Sequence, residues 1–245
     1  MFNKILSEFK QKYAYDLIVE CFGKEAELYA EDYEITEQFY QKYTDRILND
    51  LDVIQGKHVV DVGSGTGVWS ILMKLHGAAS VTAIEPRRQF SNALQRVSDK
   101  HNLDINSVND FHTGIFNLKN PYDTVVLGGV CDLIPDVVGY LRDLDCKYLC
   151  ISNGVNEDVF DDCLRVELHH NLYHRGGFNF QEDLLQNDLG TQTDVFAALK
   201  NPSKGRYLKY RFGLKYFPTI AEYLQYDIHR HSIAQGVQYW VFKSK

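Results

Sequence analysis

Residues 58–67 read His-Val-Val-Asp-Val-Gly-Ser-Gly-Thr-Gly, and eighteen positions past the last glycine Glu85 closes the run Val81-Thr82-Ala83-Ile84-Glu85. A short apolar run that ends in a glycine-rich turn, then a helix, then a second apolar run ending in an acid describes a βαβ unit. Glycines let the backbone turn sharply and come close to a ligand, because no Cβ blocks the approach. At that distance Glu85 stands where a carboxylate can accept hydrogen bonds from both hydroxyls of a ribose. The unit therefore reads as a nucleoside site.

The dinucleotide fingerprint G-x-G-x-x-G seats a pyrophosphate on the amides of a helix start. Here Gly63, Gly65 and Gly67 alternate, and Val68 occupies the third fingerprint position. Asp61 lies two residues before the first glycine. A carboxylate there repels a pyrophosphate and suits a ligand that carries an ammonium or sulfonium charge. The combination of Asp61, the alternating glycines and Glu85 resembles motif I of the class I S-adenosylmethionine-dependent methyltransferases, whose cofactor has no phosphate.

That resemblance implies further site residues. Leu103–Val108 reads as a third strand, and Asp110 and Phe111 after it match positions that flank the adenine in the family. Residues 122–128 read as a fourth strand ending in Gly128-Gly129, where the family lets the chain pass beneath the methionyl part of the cofactor. The expected cofactor-binding set is Asp61, Gly63, Ser64, Gly65, Gly67, Glu85, Pro86, Asp110, Phe111, Gly128 and Gly129. All lie at carboxyl ends of predicted parallel strands, which is where open α/β sheets bind ligands.

The elements alternate as strand 58–62, helix 66–76, strand 80–84, helix 87–100, strand 104–108, strand 122–128, helix 136–143 and strand 147–152. Strands separated by helices imply a parallel sheet with crossover helices. The family's closing antiparallel pair comes late, after a helix from Pro218 to Tyr226, as strands near 227–234 and 236–242. The fold class expected is α/β: a Rossmann-like, doubly wound, mostly parallel sheet with an antiparallel C-terminal strand, N-terminal helices and an inserted lid. Residues 1–55 read as a helical cap, with Phe2, Ile5, Leu6, Phe9 and Tyr13 on one face and a later helix from Thr36 to about Leu51. Residues 56–245 form the cofactor domain, with an insertion at about 153–217 read as a substrate lid.

Methyl transfer from a sulfonium needs an aligned nucleophile and sometimes a base. Candidate bases are Asp132, just past Gly128-Gly129, and the pair His170 and His174, which would share a helix face at i, i+4 spacing. No metal-ligand motif is evident and no metal is expected. The five cysteines lack CxxC spacing; Cys146 and Cys150, in or beside one predicted strand, read as buried free thiols, and the protein is expected to be reduced and cytoplasmic.

Net charge is −7, which argues against broad nucleic-acid binding. Yet residues 200–245 hold nine lysines or arginines against two acids. Within them, 206–216 alternates as a strand: Leu208, Tyr210, Phe212, Leu214 and Tyr216 on one face, and Tyr207, Lys209, Arg211 and Lys215 on the other. The basic face is either a solvated strand surface or a seat for an acidic substrate or a nucleic-acid backbone. The leading expectation is methyl transfer from S-adenosyl-L-methionine to an oxygen or nitrogen of a small molecule, an acidic one if the basic face binds it. The alternatives are a non-catalytic cofactor-binding partner protein, an RNA methyltransferase, an aminopropyl transferase and a nicotinamide-dependent oxidoreductase. No run of about 18 apolar residues is present and the N-terminus lacks a signal-peptide pattern, so no membrane association is expected.

Overall fold

The computed structural model describes residues 50–119, 121–134, 136–154, 164–170, 206–234 and 237–245, with 164–170 and 206–212 described by their backbone. The expected N-terminal helices, the rest of the insertion and His174 lie outside the described residues. The chain divides into two compact units, one running to Tyr122 and the other starting at Asp123 among the described residues.

In the first unit a short helix α1 (Leu51–Ile54) precedes β1 (His58–Val62), α2 (Val68–Leu75), β2 (Ser80–Ile84), α3 (Arg88–His101) and β3 (Ile105–Val108), and a 3-10 turn follows at His112–Asn117. The strands pair in the order β3-β2-β1, all parallel. Parallel strands covered on both faces read as continuous apolar runs. β1 obeys this with Val59, Val60 and Val62 buried, and Asp61 is the buried exception. α2 begins at Val68, two residues later than expected, because Gly67 sits at φ +83°, outside the helical region. It packs on β2, and α3 packs on β3.

The registers of β1, β2 and β3 place Val62 beside Ile84 and Ile84 beside Val108. Three strands thus end level. The residues that follow, Gly63, Glu85 and Asn109, emerge side by side, and this alignment positions the site.

In the second unit β4 (Thr124–Gly128) pairs parallel with β5 (Tyr148–Gly154). Between them lie a 3-10 turn at Cys131–Leu133 and α4 (Val137–Arg142), capped by Asp136, whose carboxylate accepts the Gly139 N–H at 2.9 Å. β6 (Leu164–His170) and β7 (Arg206–Phe212) form a separate antiparallel ribbon. α5 (Tyr216–Tyr223) then leads to β8 (Tyr226–Ala234) and β9 (Val237–Ser244), and β9 lies antiparallel between β5 and β8. The mostly parallel sheet with an antiparallel C-terminal closure is the expected fold class. Cys131, Cys146 and Cys150 are buried free thiols, and burial pushes Cys146 up to about 12.

Two local expectations are corrected. Leu164–His170 is a strand and not part of a helix, so His170 does not stand on a helix face. Leu164, Val166 and Leu168 alternate with Arg165, Glu167 and His169, and that period of two outweighs the coincidental spacing of the histidines. The strand expected over 206–216 ends at Phe212, since Gly213 opens a turn into α5. Pro218 sits in the first turn of that helix, where its missing N–H costs nothing.

Among the described residues no helix is long and apolar enough to cross a membrane.

Candidate cofactor site

The loop after β1 is held to the end of β2 by its own backbone. Gly63 and Ser64 both donate N–H groups to the Ile84 carbonyl, at 2.8 and 3.1 Å, and Gly67 N–H returns to the Ser64 carbonyl at 2.9 Å. Gly65 lies at φ +56° and Gly67 at φ +83°, left-handed conformations that favour glycine. At Gly67 a second constraint applies: a Cβ would stand 2.5 Å from Leu94 Cδ1 of α3. The loop is therefore closely packed on one side and pinned to a strand end on the other.

Two buried carboxylates flank this loop. Asp61 is 2 % exposed, and its carboxylate accepts the Ser70 hydroxyl of α2 at 2.6 Å. Burial pushes its carboxyl up to about 7; the Ser70 bond opposes the shift and the Glu85 charge adds to it. Glu85, equally buried, accepts the Gly65 N–H at 2.8 Å and the Arg87 N–H at 3.0 Å. The Arg87 guanidinium bonds the same carboxylate through Nε and through Nη2, the latter at 3.2 Å.

Asn109 completes the platform. Its side-chain amide donates to the carbonyls of Glu85 and Pro86 at 3.1 and 2.9 Å, tying the end of β3 to the turn after β2. Asp110 accepts the Phe111 N–H at 2.7 Å, and Phe111 is buried. Burial lowers the neighbouring His112 to about 4, against the opposing charge of Asp110, so this ring is neutral near pH 7.

Ser64 Oγ is buried and has no hydrogen-bond partner, although it sits at the head of the loop. A buried hydroxyl left unmatched is costly, and a polar ligand group at the loop would satisfy it. Two acids beside a glycine loop also suit a cation better than a phosphate. On these observations the residues of the first unit fit the amino-acid end and ribose of S-adenosylmethionine.

A family model described as a methyltransferase domain matches residues 29–146. That match covers just under half of the chain, and beyond it the likeness to the class I S-adenosylmethionine-dependent methyltransferases is one of fold. Over 130 residues it is 33 % identical to the ribosomal protein L11 methyltransferase of Acetivibrio thermocellus, covering 49 % of this chain and 39 % of that protein. Over 88 residues it is 35 % identical to the human electron transfer flavoprotein beta subunit lysine methyltransferase, covering 34 % of this chain and 31 % of that protein. The chain thus spans well under half the length of these curated relatives. In fold it is similar to magnesium protoporphyrin IX methyltransferase of Synechocystis PCC 6803 with bound SAM. The TM-score there is 0.54 at 12 % identity, over 99 % of this chain and 96 % of that one.

The second unit carries the remaining expected residues. Gly128 ends β4, and Gly129, at φ +72°, donates its N–H to the Ser152 carbonyl of β5 at 2.7 Å. A Cβ on either would meet nothing within 4 Å. Asp132 lies in the 3-10 turn Cys131–Leu133, and His170 is the last residue of β6, in register with Arg206 of β7.

Three residues with structural roles around the candidate site were not among those expected from sequence: Ser70, Arg87 and Asn109. Ser70 carries a signal, being the one hydroxyl in the apolar run Val68–Met73. Asn109 directly follows a predicted strand end, where an amide can bridge neighbouring turns. Arg87 carries no such signal, because nothing in the pair Arg87-Arg88 says which side chain folds back.

Proposed function

We propose that the protein transfers a methyl group from S-adenosyl-L-methionine to a nitrogen or oxygen of a small molecule. The observation that carries this reading is the pair of buried carboxylates, Asp61 and Glu85, on either side of a glycine loop whose Ser64 hydroxyl is unmatched. Asp61 and the Ser64–Gly67 loop hold the amino-acid end, Glu85 the ribose, and Asp110 with Phe111 the adenine. Pro86 lies between the ribose and adenine positions, held through its carbonyl by Asn109. Gly128 and Gly129, at the end of β4 in the second unit, are the remaining cofactor residues that the family resemblance implies. When bound, the sulfonium supplies an activated methyl group, so the chain's remaining tasks are to align the acceptor and take up its proton.

Asp132 and His170 are the described candidates for that proton, and His174 remains a candidate from sequence. The register of β6 and β7 alternates apolar pairs (Val166 with Tyr210, Leu168 with Leu208) with polar ones (Arg165 with Arg211, Glu167 with Lys209, His169 with Tyr207). A polar face rich in arginine and lysine favours an acidic acceptor. A protein acceptor is the second reading, favoured by the two curated relatives, which are named for a ribosomal protein and a lysine.

Incubating the purified chain with methyl-labelled cofactor and separate small-molecule, protein and RNA fractions tests this directly. Label in the small-molecule fraction supports the proposal, and label in protein supports the second reading. Cofactor binding with no transfer in any fraction makes the chain a non-catalytic binding partner. Tight NADH binding without S-adenosylmethionine binding overturns the assignment altogether.

A further inference from the structure

Glu85 stands where the proposed cofactor reading needs a carboxylate to receive two ribose hydroxyls, yet its lone pairs are already taken. An ionised carboxylate offers about four acceptor positions. Glu85 accepts four donors: the backbone N–H groups of Gly65 and Arg87, and two from the Arg87 guanidinium. The two backbone donors are fixed by the loop and by the start of α3. The two guanidinium donors are borne by a side chain and can leave.

The guanidinium also lies across the glycine turn. Its Nη2 is 3.6 Å from where a Cβ on Gly65 would stand, so it covers the face that the missing side chain leaves open. Its other flank rests on Phe90, with Cζ 4.2 Å from the ring centroid. Only 15 % of the Arg87 side chain is exposed, and Phe90 is fully buried. The Phe90 face gives the cation a partner independent of the carboxylate.

We infer that Arg87 is a built-in competitor at the cofactor site: its guanidinium occupies the ribose position on Glu85, and only a ligand with a vicinal diol displaces it. The diol replaces two charge-assisted bonds with two of its own, while the displaced cation keeps its contact with Phe90. A nucleoside lacking those hydroxyls leaves the guanidinium bonds in place and gains nothing from the carboxylate. Arg87 thus lowers the affinity for a diol-bearing nucleoside, which must break the pair before it can bind. This inference rests on the reading of Glu85 as the ribose acceptor.

Calorimetric titration of wild type, Arg87→Ala and Arg87→Lys with S-adenosylhomocysteine and with its 2′,3′-dideoxy analogue tests it. In Arg87→Ala the carboxylate keeps its two backbone donors and has two lone pairs for the diol to fill. S-adenosylhomocysteine should therefore bind that variant about tenfold more tightly than wild type. The gain should nearly vanish for the dideoxy analogue, and Arg87→Lys, with a charge but no fork, should fall between. Thermal melting supplies the second readout: Arg87→Ala melts lower alone but rises further on adding S-adenosylhomocysteine. Equal or weaker binding by Arg87→Ala, or the same gain for both ligands, overturns the inference while leaving the cofactor reading intact. No binding by folded wild type overturns the cofactor reading, and the role of Arg87 falls with it.

Discussion

Gly65 donates its backbone N–H to the carboxylate of Glu85 at 2.8 Å, across twenty residues of sequence. The loop after the first strand and the acid after the second are therefore one unit. A change at either is felt at the other. Glu85→Ala removes the acceptor for Gly65, for Arg87 and for the proposed ribose hydroxyls together. With hydrogen bonds to charged groups contributing about 1.5–3 kcal/mol, affinity for S-adenosylhomocysteine should drop by roughly 10- to 100-fold. Titration calorimetry checks this, with circular dichroism to show that the variant is folded.

Asp61 gives a pH dependence with a definite sign. Burial raises its carboxyl from 3.8 to about 7, so the folded state favours the protonated form. The resulting stabilisation is fully present below about pH 3.8 and is lost as pH rises through about 7. Asp61→Asn cannot ionise and escapes that loss. Its stability relative to wild type should therefore climb between pH 5 and pH 7 and level off above, as read from urea midpoints. A flat difference would mean that the charge at Asp61 is not penalised by burial.

Gly67 is the junction between the loop and α2. Gly67→Ala forces a Cβ to within 3.0 Å of Leu94 Cγ at φ +83°, and Leu94 is itself buried. Backbone strain and overpacking together should cost about 2–4 kcal/mol, seen as a lower urea midpoint. Leu94→Ala would open the space and relieve only the steric part. The same glycine substitution should therefore cost less in that background, with the left-handed backbone accounting for what remains.

Asn109 tests whether the aligned strand ends matter for binding. Asn109→Ala leaves the Glu85 and Pro86 carbonyls without their side-chain donor and frees the turn that carries the carboxylate. Affinity for S-adenosylhomocysteine should fall by about 3- to 10-fold, with a small change in melting temperature. Asn109→Ser, with its shorter donor, should recover part of the loss.

The pieces of this site were legible because their signals are local. β1 and β2 have the boundaries expected from their apolar runs, and α3 differs by one residue at each end. The glycines, Asp61 and Glu85 declare themselves by spacing alone. Segments whose local signals conflict read less well. In 164–170 the histidine spacing points to a helix and the apolar alternation to a strand; the pairing with β7 decides for the strand. The segment 206–216 reads as one continuous alternation, and only the turn at Gly213 divides it into strand and helix.

From its residues alone, the chain has a parallel βαβ unit with a carboxylate a fixed number of positions past a glycine loop, because period and spacing are properties of contiguous sequence. Tertiary structure decides which donors that carboxylate meets. The registers that bring Val62, Ile84 and Val108 level set Gly63, Glu85 and Asn109 side by side, and the loop after β1 brings the Gly65 N–H onto Glu85. Hydrogen bonds between segments twenty or more residues apart depend on strand register and helix packing, and no local pattern encodes either.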